Sequence, residues 1–202
     1  MSLTNCYATL DQLRSEITSL TDVDSDDQLE RALNAASRQI DAHCGRRFWQ
    51  DATVKVRTFH ADDALTCEVD DISTTTGLIV KADTGGDGTY ASTLTITTHF
   101  VLEPLNAAAE TPVRPYTSIP IVDGTGGYFP LAKRPGVQVT AKFGWPAVPD
   151  DVLEACCRQA YALFKGGDAA LGILQTADGM PYRVGGLHPH ARDLLEPYVR
   201  RY

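Results

Sequence analysis

The hydrophobic positions of this chain follow two different periods. Near both ends apolar residues recur every three or four positions, whereas in the middle they alternate with polar residues. The first period is that of an amphipathic helix and the second is that of a strand. The sequence therefore predicts an α+β fold, with a small helical core of about four helices and an inserted antiparallel β module. We place the helical core at residues 1–46 and 146–202 and the β module at residues 47–145.

The second predicted helix has the clearest pattern. Its apolar positions share one helical face and are Leu29, Leu33, Ala36, Ile40 and Cys44. Ser25 and Gln28 form a capping box before this helix, as Thr9 and Gln12 do before a shorter first helix. Gly45 supplies the left-handed residue that commonly follows a helix. We expect this face to pack against the next helix along the chain.

A stiff stretch, "FGWPAVP" (143–149), leads into the third predicted helix near Asp150. Pro146 and Pro149 restrict the backbone, and Trp145 is large enough to fill the space between two structural units. We expect these three residues to form a rigid joint between the β module and the helix. The apolar face of the helix is wider than one surface helix needs and comprises Val152, Leu153, Cys156, Cys157, Ala160, Leu163 and Phe164.

The last predicted helix lies in "LHPHARDLLEPYVRRY" (187–202). Pro189 suits its first turn, and Pro197 ends or kinks it. The residues after Pro197 are predicted to form an exposed tail. A glycine-rich loop is predicted between the third helix and this one.

The middle of the chain contains short β-branched stretches separated by turn residues. They are "TVKVRTF" (53–59), "LTCEV" (65–69), "GLIVKA" (77–82), "TLTIT" (93–97), "HFVLE" (99–103), "TSIPIV" (117–122) and "VQVTAKF" (137–143). They predict about five to seven antiparallel strands in a small barrel or sandwich. No helical period interrupts them, which argues against a Rossmann-type alternation.

Charge and cysteine content narrow the class of protein. The net charge is −8, so the chain is poorly suited to wrapping DNA through its phosphates, although an acidic lumen could surround DNA without holding it. Five cysteines without a regular framework indicate a reducing cytosol. No signal peptide and no membrane span is apparent in the sequence.

The candidate catalytic and metal-binding residues form no complete set. His188 and His190 flank a proline and suit a helix start better than a metal site, which needs three or four ligands. "DTGGDGTY" (83–90) lacks the ligand spacing of a calcium loop and reads as a hairpin turn. The pairs Asp62-Asp63 and Asp70-Asp71 read as solvated turns. We therefore expect no catalytic residues, no metal and no cofactor, and we expect the protein not to be an enzyme.

Three stretches resemble the head-to-tail connector, or head-completion adaptor, proteins of tailed bacteriophages. They are "LERALNAASRQIDAHCGRRF" (29–48), "FGWPAVPDDVLEACCRQAYALFK" (143–165) and "LHPHARDLLEPYVRR" (187–201), and together they cover somewhat over a quarter of the chain. Their order also matches that family: a helix pair, a variable middle, the "GWP-x-VP-x-D" helix and a basic tail. The chain departs from the shortest members in its long β module.

The resemblance implies a structural virion protein at the head–tail interface, assembled in the cytoplasm of a bacterial host. Such proteins form a ring of about twelve copies beneath the portal protein. DNA passes through the ring without sequence-specific binding, and a stopper or tail-completion protein docks on it. In relatives the tail reaches toward the portal or a neighbouring copy. Aromatic and arginine residues are common in interface hot spots, so the candidate partner-binding residues are Tyr198, Arg200, Arg201 and Tyr202.

Two alternatives remain open at this stage. The β-rich middle also suits another neck protein, such as a stopper or tail-completion protein. A small hydrolase or a carbohydrate-binding protein would need a pocket with converging polar groups in the β module. The sequence displays no such set of residues.

Overall fold

The computed structural model of the chain describes residues 5–16, 26–167, 173–175, 181–183 and 186–200. The helices are α1 (Leu10–Glu16), α2 (Asp26–Cys44), α3 (Asp150–Gly167) and α4 (Pro189–Leu195). The strands are β1 (Lys55–Phe59), β2 (Thr66–Ile72), β3 (Ile79–Ala82), β4 (Ser92–Leu94), β5 (Tyr116–Pro120), β6 (Val137–Ala141), β7 (Ile173–Gln175) and β8 (Pro181–Arg183). Two compact units result, one from residues 1–48 and 148–202 and the other from residues 49–147.

The first helix of the helical unit begins at the predicted capping box. The backbone N–H of Thr9 donates to Gln12 Oε1 at 2.8 Å, and the backbone N–H of Gln12 donates to Thr9 Oγ1 at 3.2 Å. These two reciprocal bonds satisfy donors that the first turn of a helix leaves without partners. The capping box predicted for Ser25 lies outside the described residues.

The packing of α2 against α3 forms the centre of the helical unit. All five predicted apolar positions of α2 are buried, as are Cys156 and Ala160 on α3. Ser37 Oγ of α2 lies 3.4 Å from Cys156 Sγ, which shows how closely the two helices approach. The predicted faces are therefore confirmed, with Leu163 and Phe164 half-buried at the end of α3. Gly45, with a φ of 63°, follows α2 as predicted.

Leu33→Ala should lower the free energy of unfolding of the helical unit by about 2–5 kcal/mol, because it removes a fully buried side chain and leaves a cavity. The measurement is chemical denaturation of both proteins. Leu105→Ala makes the same chemical change at a side chain that is 66% exposed and should leave stability nearly unchanged. Equal stabilities of the Leu33→Ala variant and the parent would show that α2 buries a different face.

A short hairpin between α3 and α4 was missed by the sequence prediction, which placed a loop there. Strands β7 and β8 pair antiparallel, with Leu174 opposite Tyr182. Each strand has three residues, which is too short for an alternating pattern to be distinguished from loop sequence. Helix α4 then starts at Pro189, as predicted, and buries Ala191 and Leu195.

The second unit contains two antiparallel sheets. One has four strands in the order β1-β6-β3-β4, and the other pairs β2 with β5. The loop of residues 83–91 joins β3 to β4, so the predicted hairpin there is confirmed. Of the seven predicted strands, "HFVLE" (99–103) is wrong, because Phe100 and Glu103 make only isolated bridges.

One hydrophobic core takes side chains from both sheets of this unit. Its members include Cys67, Val69 and Ile72 of β2, Ile119 of β5, Val80 of β3, Leu94 of β4, and Val137, Val139 and Ala141 of β6. The buried positions of β6 alternate with half-buried ones, as expected for a sheet that covers a core on one face. The fold is thus α+β with a sandwich-like β module.

The two acidic pairs occupy different environments. Asp62 and Asp63 lie in a turn, where their carboxylates accept backbone N–H groups of residues 65–68. Asp70 and Asp71 were predicted to lie in a turn but belong to β2, and Asp71 is only 5% exposed. Asp70 Oδ2 accepts a bond from Arg57 Nη1 at 2.5 Å, so the cation offsets the charge next to the buried core.

Candidate partner-binding surface

The C-terminal segment packs on the helical unit instead of extending away from it. Tyr198 is 8% exposed, and its hydroxyl donates to Asp151 Oδ2 at 2.9 Å. The backbone N–H of Arg200 donates to the carbonyl of Cys44 at 2.9 Å. The prediction of an exposed tail is therefore wrong as far as Arg200. Pro197 lies in a 3-10 turn that turns the chain back toward the end of α2.

Phe48 is the side chain on which this segment packs. Its ring meets the ring of Tyr198 edge-on, with centroids 5.7 Å apart, and meets Tyr7 in the same way at 5.6 Å. Such edge-to-face pairs stabilise a structure beyond the area they bury. Phe48 thus connects the segment before α1, which contains Tyr7, with the segment after α4, which contains Tyr198. The hydrophobic periodicity gave no signal for it, since it lies just after α2.

A hydrogen-bonded pair supports Phe48 from the side of α2. The hydroxyl of Tyr7 donates to Asp41 Oδ1 and accepts the backbone N–H of Phe48 at 2.9 Å. Burial and then the bond to Asp41 raise the pKa of the Tyr7 hydroxyl. Burial also raises the pKa of the Asp41 carboxyl, against the opposing effects of Tyr7 and Arg38. The pair fixes the N-terminal segment on α2.

Three arginines lie near the C-terminal end of α2. Arg46 and Arg47 follow Gly45, and a Cβ built on Gly45 would lie 3.8 Å from the Cβ of Arg200. We call Arg46, Arg47 and Arg200 the basic end of α2. All three are partly exposed. Cations are favourable at this position because the carboxyl end of a helix carries partial negative charge.

A second buried contact fixes the start of α4. Gln159 of α3 is fully buried, its Oε1 accepts the backbone N–H of His188 at 2.6 Å, and its Nε2 donates to Gln39 Oε1 at 2.6 Å. His188 is the residue before the first turn of α4, and His190 is exposed in that turn. Both histidines therefore occupy the predicted helix-start positions.

The predicted joint residues are placed as follows. Trp145 is 2% exposed, in agreement with the expected burial. The carbonyl of Pro149 accepts the backbone N–H groups of Val152 and Leu153, each at 3.0 Å, and so closes the first turn of α3. Neighbouring Gly144 has a φ of +105°, a conformation that residues with a side chain rarely adopt. The rigid joint itself stays a prediction.

The known proteins that match this chain are solved structures with a similar fold. No protein-family model and no curated protein matches the chain. It is similar to a solved structure of the neck of an empty gene transfer agent (GTA) particle with C6 symmetry, at 16% identity and a TM-score of 0.55, covering 100% of this chain and 94% of the other. It is also similar to the neck of a native GTA particle with C12 symmetry, at 15% identity and a TM-score of 0.52, covering 100% and 93%. These matches extend over the whole fold.

Metal ligands and reactive thiols are the two features that would mark a chemical site among the described residues. No group of three or more histidines, cysteines and acids in that part of the chain could hold a metal ion. Burial raises the pKa of Cys44, Cys67 and Cys157 to about 12 and that of Cys156 to about 11. These thiols remain protonated near neutral pH and behave as small apolar side chains.

None of the described helices combines the length and the hydrophobicity that crossing a membrane would need.

Deleting residues 198–202 should destabilise the helical unit by about 3 kcal/mol or more, because it removes a buried aromatic ring from its contact with Phe48. Thermal melting of the truncated and full-length chains measures the effect. Deletion of residues 201–202 is the matched control, since it leaves the contacts of Tyr198 and Arg200 in place. Identical melting temperatures for all three proteins would contradict the packing of the C-terminal segment.

Proposed function

We propose that this protein is a structural component of the neck of a phage-like particle, and specifically a head–tail connector of the adaptor type. The observation that carries the proposal is the likeness of the entire chain, helical unit and β module together, to proteins of two GTA neck structures. The three stretches that resemble connector proteins contain most of α2, α3 and α4, which are three helices of one compact unit. On this proposal the helical unit is the connector core and residues 49–147 are its insertion.

The proposed assembly is a ring of copies beneath the portal protein. The neck structures were computed with C6 and C12 symmetry, which supports a ring of copies for this chain, and we propose that the ring has about twelve. A closed ring requires each copy to present two different surfaces to its two neighbours. The net charge of −8 per copy would let DNA pass through such a ring without being held by its phosphates.

The proposed portal contact is the basic end of α2 together with the residues that follow it in the chain. The backbone of Arg200 is held by its bond to Cys44, and Arg201 and Tyr202 lie outside the described residues. Pre-positioning of this kind lowers the entropy lost on binding. Tyr198 is no longer proposed as a contact, because its ring and hydroxyl are engaged within the helical unit. The stopper or tail-completion protein would bind elsewhere on the ring.

The proposal is tested by co-purification with the portal protein of the same particle. The full-length chain should bind assembled portal, and the variant that lacks residues 201–202 should bind at least about tenfold more weakly with an unchanged melting temperature. Arg192→Ala, a change of an exposed arginine on α4, is the control and should bind normally. Binding to a tail protein in place of the portal would instead indicate a stopper or tail-completion protein.

A further inference from the structure

The four-stranded sheet of the β module has one face whose side chains are exposed or half-buried in the part of the chain that the structure describes. The buried residues of β3 and β6, and the half-buried Arg57 and Phe59 of β1, alternate with residues that point away from the core. We call the second set the outer sheet face. It consists of Val56 and Thr58 on β1, Gln138 and Thr140 on β6, Ile79 and Lys81 on β3, and Thr93 on β4.

The register of the strands arranges this face in two rows. Val56 lies opposite Thr140, which lies opposite Ile79, so these three residues form a row across three strands. Thr58, Gln138, Lys81 and Thr93 form the adjacent row by the same pairing. The first row is entirely β-branched. Side chains of this kind have few rotamers and lose little entropy when a partner covers them.

The first row exposes two aliphatic side chains. Val56 is 60% exposed and Ile79 is 45% exposed. Val54, 43% exposed, lies just before β1, two positions from Val56, and a Cβ built on Gly77 would lie 2.8 Å from its Cγ1. Thr140 lies between Val56 and Ile79, so the row presents two aliphatic side chains on either side of one hydroxyl. Contact surfaces between proteins commonly combine apolar and polar groups in this way.

The outer sheet face also carries little charge. Lys81 is its only charged side chain among the seven residues, whereas the whole chain has a net charge of −8. Copies of an acidic protein repel one another, and charged groups at a contact must also be desolvated. A nearly uncharged surface therefore lets two such copies meet at a low electrostatic cost.

We propose that the outer sheet face is the surface through which one copy of this chain contacts the next copy in the ring. This inference rests on the proposed function, because the ring supplies the occupant. The face is too poor in cations to hold DNA phosphates. Each copy uses its outer sheet face toward one neighbour and a different surface toward the other, which is the arrangement that a closed ring requires.

The experiment is site-specific photo-cross-linking in assembled particles. A photoreactive amino acid is placed at Val56 in one variant and at Leu105, which is 66% exposed on a loop of the same unit, in the control. Irradiation should link the first variant to other copies of this chain, and the control should give no such product. Mass spectrometry then identifies the linked partner.

Each outcome of this experiment bears on the inference. Links from position 56 to a different protein, no links at all, or equal self-links from positions 56 and 105 would overturn it and leave the proposed neck function standing, provided that the chain is found in the particles. Absence of the chain from purified particles would overturn the proposed function and the inference together.

A charge substitution gives a second, independent result. Val56→Asp places an unpaired carboxylate in the proposed contact and should lower incorporation into particles at least about tenfold. Leu105→Asp is the control and should be incorporated normally. Both variants should melt like the parent, because both side chains are exposed. Normal incorporation of Val56→Asp would overturn the inference.

Discussion

Gly144→Ala is expected to be among the most damaging single substitutions in the β module. A Cβ built on Gly144 would lie 1.9 Å from the carbonyl oxygen of Trp49, a backbone atom that no side-chain rotation can move. The backbone N–H of Gly144 also donates to the carbonyl of Asp71 at 2.8 Å, and Asp51 donates to Phe143 at 2.8 Å. A methyl group at Gly144 can therefore be accommodated only if the backbone of residues 49–51 or of residues 143–145 moves.

The expected cost of Gly144→Ala is more than about 4 kcal/mol of unfolding free energy, which is exceptional for one substitution. The steric clash with Trp49 is one cause of this cost, and the φ of +105°, which is unfavourable for alanine, is the other. Gly124→Ala separates them: Gly124 has a φ of +79°, and a Cβ there meets nothing within 4 Å. The control should lose only about 1–2 kcal/mol from backbone strain.

Chemical denaturation of the two glycine variants measures this difference. The account predicts that Gly144→Ala is much less stable than Gly124→Ala or fails to fold. Equal and small losses in both variants would mean that residues 49–51 and 143–145 do not approach one another as the structure has them.

Phe48→Ala is the substitution expected to be most damaging to the helical unit, at about 3–5 kcal/mol. Phe48 is fully buried, and its ring contacts both Tyr7 and Tyr198. Its removal leaves a cavity between three chain segments that are far apart in sequence. It should therefore loosen the N-terminal and C-terminal segments together.

Hydrogen exchange shows whether that coupling exists. In the Phe48→Ala variant the backbone amides at position 48 and at Arg200, which are hydrogen-bonded in the parent, should exchange faster. Tyr128→Ala removes an aromatic ring that is 47% exposed and should leave both amides protected. Unchanged protection in Phe48→Ala would show that the segments are held independently of this ring.

The helices were predictable because their apolar stripes are long. Leu29, Leu33 and Ile40 repeat at helical spacing over about three turns, so the face of α2 that is buried could be read from the sequence. The antiparallel strands of the β module were predictable for a similar reason, since alternation over five to seven residues marks a half-buried strand. The predicted strand "HFVLE" was wrong because this stretch has the composition of a strand but makes only isolated bridges, at Phe100 and Glu103.

The candidate surface was less predictable, because it depends on contacts between distant residues. Pro197 was expected to release the tail, and nothing local in the sequence shows that Tyr198 would instead reach Phe48 and Asp151. The same holds for the approach of Arg200 to Gly45. Arginine and aromatic residues near the C-terminus indicated a contact region, but only the fold shows which of them are already engaged within the chain.

The measurement that tests the central proposal most directly is electron cryo-microscopy of the neck of the particle that carries this protein. The account predicts a ring of copies of this chain between the portal and the tail, with the helical unit against the portal and DNA in the lumen. Density for this fold elsewhere in the particle, or a neck in which no copy of the chain can be placed, would contradict the proposed function.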